Sequence, residues 1–152
     1  MFPVPLALRV LCACACAFGA AAAHAVCLDG KPSIEQEFRD SAIVAVGVAG
    51  AARDVSVPDD PAGIDHTVYT VRLTRVFKGA PAGRAIELVS PNTSARFPLE
   101  PGVAYLLFVG EGQDGAYVGN CGWSGAVRDK GTGAVLRRVE AIAVRARRTG
   151  SR

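Results

Sequence analysis

PGVAYLLFVGEGQDGAYVGNCGW, residues 101–123, is the stretch around which the remaining sequence arranges itself. Within it, VAYLLFV at 103–109 is an apolar run with β-branched and aromatic members, entered through a Pro101-Gly102 turn. Such a run bounded by turn residues predicts a strand buried on both faces. GEGQDG at 110–115 has the composition of a hairpin loop, and residues 116–119 return as a second strand. Cys121 follows at once, so the end of this hairpin can be fixed covalently to another part of the chain.

The first 25 residues read as a secretory leader and not as part of the fold. Arg9 closes a short n-region, an apolar segment rich in Ala, Cys and Leu covers 10–23, and Ala23-His24-Ala25 fits a small-residue cleavage site. The segment is shorter than the roughly 20 residues that a membrane-spanning helix needs. A lipoprotein box at Leu11-Cys12-Ala13-Cys14 would leave almost no apolar segment ahead of it, which favours plain export to the periplasm or the exterior. Removing 25 of the 152 residues leaves 127, enough for one domain with its own core. Arg9 leaves with them, so the formal net charge falls from +3 to +2. Cys12, Cys14 and Cys16 also leave, and Cys27 and Cys121 remain. An even pair in an oxidising compartment predicts a disulfide, closing a loop of roughly 100 residues and contributing about 4 to 5 kcal/mol.

Beyond Cys27, a turn-rich lead-in reaches Lys31-Pro32. Ser33 and Gln36 have the spacing of a capping box, with Ser33 accepting from the amide three residues on and Gln36 reaching back. Ile34 and Phe38, four apart, give the short helix at 33–39 one apolar face. AIVAVGV at 42–48 forms a first strand with a bulge or bend at Gly47, and residues 57–65 read as a polar, proline-bearing loop. Tyr69, Val71 and Leu73 alternate with Thr70, Arg72 and Thr74, the pattern of a half-buried strand. Residues 85–89 make a third strand, and Pro91 and Pro98 keep 90–98 out of a central ladder. After Gly133, Val135, Leu136, Val139, Ile142, Ala143 and Ala146 share one helical face. Arg145, Arg147 and Arg148 crowd the last turns, where cations suit the helix dipole.

Helix, five short strands, helix is too few strands for a sandwich. The order predicts a mainly β fold with flanking helices: a five-stranded OB-like barrel over 26–130, then a C-terminal basic amphipathic helix over 131–152 packed on it. There are no internal repeats and no second domain.

Taken in order, Cys27 just after the leader, the short helix, DSAIVAVGV at 40–48, VFKG at 76–79, YLLF at 105–108 and a late Cys121-Gly122 resemble one known group. These are the bacterial exported relatives of the tissue inhibitors of metalloproteinases, which have the netrin-like OB fold. The resemblance runs from Cys27 to about Trp123. It implies a protein that acts by binding: in the animal inhibitors, the free α-amino group and carbonyl of an amino-terminal Cys chelate the zinc of the target protease and displace its water. Cys27 matches that Cys, which makes Val26, Cys27 and Leu28 the candidate partner-binding edge and a metalloproteinase the candidate partner. Two departures stand out. Asp29 occupies the position of the family's second Cys, and cleavage after Ala25 leaves Val26, not Cys27, with the free amine.

Other constellations point away from catalysis. Gly122-Trp123-Ser124-Gly125 approaches a serine elbow, but Ala126 stands where that motif requires Gly. His66, the one histidine outside the leader, would have to be the base of any triad, and an oxidised Cys121 is no nucleophile for it. A turn with Trp123 packed over the disulfide is the simpler reading. Asp59, Asp60, Asp65 and His66 gather in one loop at a spacing foreign to an EF-hand, as in a solvated turn. Asn92-Thr93-Ser94 is a glycosylation sequon. No catalytic residue, metal or cofactor is therefore expected. OB barrels also bind ligands on the face of strands two and three. Arg72, Arg75, Lys78 and Arg84 fall near that face, which makes glycans or other polyanions the alternative ligands. Export removes nucleic acid as a partner, and Tyr69 belongs to the core. The expected protein is an exported, monomeric, non-catalytic binding domain without a transmembrane segment.

Overall fold

The computed structural model describes Cys27 and residues 30–150. The expected leader at 1–25, and Val26 and Leu28 of the candidate partner-binding edge, lie outside the described residues. The chain runs through α1 (Ile34–Asp40), β1 (Ile43–Val57), β2 (Asp60–Lys78), β3 (Ala85–Pro91), β4 (Ala104–Gly112), β5 (Gly115–Val118), β6 (Gly125–Ala126) and α2 (Thr132–Gly150). The strands pair antiparallel in the order β3-β2-β1-β4-β5, with β6 added to β4.

The apolar run at 103–109 becomes the heart of β4, and both its faces are buried. Tyr105, Leu107 and Val109 pack with Ala45, Val71 and Leu88 on one side of the sheet. Leu106 and Phe108 turn the other way, onto Phe38 of α1 and Val135, Val139 and Ala143 of α2. One strand thus feeds two cores, because successive side chains of a strand alternate between faces. Between them the helices cover the second face, as expected of a mainly β fold with a helix at each end.

The barrel itself differs from expectation. The sheet has six strands rather than five and is not closed. Its edge strands β3 and β5 do approach each other: a Cβ on Gly115 would lie 3.3 Å from Val89 Cγ2. They share no ladder, however. β5 is four residues long, and β3 ends on Pro91, which has no N–H to donate. Side-chain packing, not hydrogen bonding, joins the two edges.

The segment read as a loop at 57–65 is instead the far end of a long ribbon. β1 and β2 stay paired out to Val57 and Asp60, with register shifts between Ala49 and Ala52 and on both sides of Ser56. β4 stops pairing with β1 at Val48, and β3 stops pairing with β2 at His66, so among the described residues no third strand flanks the ribbon beyond His66. The bend expected at Gly47 is present as a register shift between Val46 and Gly47. A Cβ there would come within 2.5 Å of Val71 Cγ1, so only glycine lets β2 pack this closely.

In α1, Ser33 caps the first turn by accepting from the Gln36 amide at 3.1 Å. The reciprocal half of the capping box does not form. Gln36 turns along the helix instead, donating to Asp40 Oδ2 at 2.6 Å and accepting from Arg39 Nη2 at 2.5 Å. The charged Arg39 donor takes the Gln36 Oε1 that a capping box would offer to the Ser33 amide. In α2, Val135, Val139 and Ala143 are buried as expected, but Ala146 is exposed. The helix outruns the surface it packs on, and everything from Val144 to Thr149 faces solvent. No described helix is long and apolar enough to cross a membrane.

Candidate binding surfaces

Cys27 and Cys121 form the predicted disulfide, with Cα atoms 5.7 Å apart and a sequence separation of 94. The bond does not act alone in holding the amino end. The Trp123 indole N–H donates to the Pro32 carbonyl at 2.6 Å, and Lys31 Nζ lies 3.8 Å from the centre of the Trp123 ring. The Trp123 amide donates to Glu37 Oε2 at 2.8 Å. Trp123 packs against the Phe38 core cluster beneath α1. Gly122 makes this approach feasible, since a Cβ there would overlap Glu37 Oε1. A bond, a backbone-to-carboxylate contact and an indole therefore converge on Cys27 and residues 31–37.

Burial pushes the Glu37 carboxyl above its ordinary value, against the opposing pull of the Trp123 N–H and the Lys31 charge. A raised folded-state value favours the protonated form. This group's contribution to stability is therefore fully present below the unfolded carboxylate value and is lost as pH rises through the folded one. Glu37→Gln keeps an acceptor for the Trp123 amide and removes the charge. It should be more stable than wild type at neutral pH, with the difference shrinking on acidification. Thermal melts of both proteins between pH 3 and pH 8 check this, and an advantage that grows toward acid would contradict it.

The four basic residues assigned to one ligand face do not stay together. Arg72, Arg75 and Arg84 line a groove of about 440 Å³ with Thr74 and Val76. Arg75 is partly engaged, bonded to Glu140 of α2 at 2.5 Å and stacked on the Phe77 ring at 4.7 Å. Lys78 is drawn elsewhere: its Nζ donates to the carbonyls of Phe38, Arg39 and Ser41 at 2.9, 2.5 and 2.6 Å. It caps the carboxyl end of α1, where unpaired carbonyls and the helix dipole favour a cation. Tyr69 and Phe77 are both buried in the core.

The remaining sequence candidates take structural positions. Ser124 Oγ accepts from the Phe108 amide at 2.9 Å, and Cys121 is spent in the disulfide, so His66 has no thiolate beside it. Asp60 closes the ribbon's turn by accepting from the Ala62 amide, and Asp65 pairs with His66 at 2.8 Å. Among the described residues, no three His, Cys, Asp or Glu side chains gather as a metal site. Asn92, in the sequon, donates its side-chain amide to the Ile64 carbonyl at 2.9 Å.

A second cleft, of about 410 Å³, opens where the unclosed edges meet. It lies among the end of β3, the β4–β5 turn and the Asp65-His66 pair, and Cys121 borders it. Asn120 Nδ2 bridges to the Ser94 carbonyl at 2.7 Å. Tyr117, 44% exposed, lines this cleft and also a smaller one beside Glu37 and Phe108. Sequence reasoning placed Tyr117 on a return strand without a role. The only clue was Gly110, the residue paired opposite it once the register is known.

No protein-family model matches the chain, and a search of curated proteins finds no match either.

Proposed function

We propose that the chain is an exported, non-catalytic binding domain that presents its disulfide-pinned amino end to a protein partner, in the manner of a metalloproteinase inhibitor. The observation that carries the reading is the convergence on Cys27 and residues 31–37 of the Cys27–Cys121 bond, the Glu37–Trp123 contact and the Trp123–Pro32 contact. An amino end fixed this way loses little conformational entropy when a partner closes on it, which is how preorganisation raises affinity.

Amino-terminal sequencing of the exported protein, followed by inhibition assays against a zinc endopeptidase, tests this. A chain beginning at Cys27 should inhibit the peptidase, and adding one alanine ahead of Cys27 should abolish inhibition; a chain that begins at Val26 counts against chelation by Cys27. Equal behaviour of the native and extended chains would overturn the inhibitor reading.

The groove lined by Arg72, Arg75 and Arg84 favours a second reading, a module for sulfated or otherwise polyanionic glycans. Its signature would be binding to heparin that weakens steeply with salt and is lost in Arg72→Ala/Arg84→Ala.

A further inference from the structure

The cleft between the unclosed sheet edges has a chemistry unlike the basic groove. Among the described residues no Lys or Arg lines it, whereas Asp65 and Asp114 do. Anions are disfavoured there by both charges. Its volume of about 410 Å³ falls in the range of small-molecule sites, roughly 300 to 1,000 Å³.

Tyr117 is placed as a platform. Cβ atoms at Gly110 and Gly112 would come within 2.9 and 3.3 Å of Tyr117 ring atoms, so the missing side chains let the ring lie across β4. The phenol is supported on one side while 44% of the residue remains exposed. Val89 and Pro91 add apolar surface to the same cleft. Around this surface stand polar groups of both kinds. Asn120 has its Nδ2 committed to Ser94, which leaves Oδ1 as an acceptor. His66 turns Nδ1 to Asp65 and keeps Nε2 for another partner. Gln113 brings a donor and an acceptor from the turn. A cation would need acceptors alone, whereas an array of hydroxyls on a flat apolar body needs donors, acceptors and a surface to lie on.

From this juxtaposition we infer that the cleft binds an uncharged saccharide, with one sugar ring stacked on Tyr117 and its hydroxyls met by His66, Gln113 and Asn120. The site shares no described residue with the basic groove and meets the amino-end clamp at Cys121, while Tyr117, His66, Gln113 and Asn120 form no contact of that clamp.

Titration of the ¹⁵N-labelled full chain with cellobiose and with N,N′-diacetylchitobiose tests the inference, with spermidine and a heparin disaccharide as charged probes. At least one neutral disaccharide should shift amides at 65–66 and 112–120, with a Kd of about 1 mM or tighter. Tyr117→Phe should keep affinity within about threefold, and Tyr117→Ala should lose about tenfold. Because Tyr117→Ala also uncovers Gly110, Gln113→Ala at the turn gives an independent reading: severalfold weaker binding with an unchanged melting temperature. Absence of shifts with both sugars would overturn the inference. So would cleft shifts produced only by spermidine or heparin, or sugar binding unaffected by both Tyr117→Ala and Gln113→Ala.

Discussion

A Cys27→Ser/Cys121→Ser variant is expected to melt roughly 15 °C below the wild-type protein. The bond spans 94 positions, so its loss restores the loop-closure entropy of nearly the whole domain to the unfolded chain, about 4 to 5 kcal/mol. For a domain of this size, each kcal/mol moves the melting temperature by roughly 3 to 5 °C. The non-covalent part of the clamp remains in the variant, since Trp123 still reaches Pro32 and Glu37. The loss should therefore lower stability without abolishing the fold. Differential scanning calorimetry with and without reductant is the direct check. Coincident melts, together with two alkylatable thiols in the untreated protein, would mean that the pair is not a structural staple.

Leu106→Ala and Leu107→Ala should each cost about 3 to 4 kcal/mol, a near-equality that an ordinary surface strand would not show. Neither side chain retains any exposure, and the two point to opposite faces of the sheet. Leu107 fills the space enclosed by the curled strands, and Leu106 supports both helices. In a sheet with one solvated face, one of the pair would be nearly neutral on truncation. Urea titrations of the two single variants measure the comparison. A change below about 1 kcal/mol for either would mean that one face of β4 is open to water.

How far this could be read in advance depends on what kind of force holds each part. The double burial of β4 was legible because seven consecutive apolar residues leave no face for water. The Cys27–Cys121 pairing was legible because no other cysteine lies between Cys27 and the carboxyl end. The outer halves of β1 and β2 were not. GAARDVSVPDDPAGIDH at 50–66 carries glycine, proline and aspartate with no apolar alternation, and its pairing rests on backbone hydrogen bonds that side chains do not announce. Closure of the sheet is not legible, since counting strands does not reveal that the short β5 and the proline-ended β3 pack side by side without a ladder.

The candidate surfaces divide in the same way. Arg72, Arg75 and Arg84 were found by charge alone. Lys78 was grouped with them because linear proximity says nothing about carbonyls of α1 lying 37 to 40 positions away. Glu37 looked like any polar position of a short helix, and only the fold sets it against Gly122. Tyr117 needed the β4–β5 register before its neighbour Gly110 could be identified.

The position of the two half-cystines along the polypeptide also constrains when they can meet. One precedes every described strand, and the other emerges only after five of them have been synthesised. The native bond therefore cannot close before residue 121 has been synthesised. Any oxidant that captures the first thiol earlier, as a mixed disulfide, has to be displaced before the native bond can close, so maturation of this chain is timed by its second cysteine.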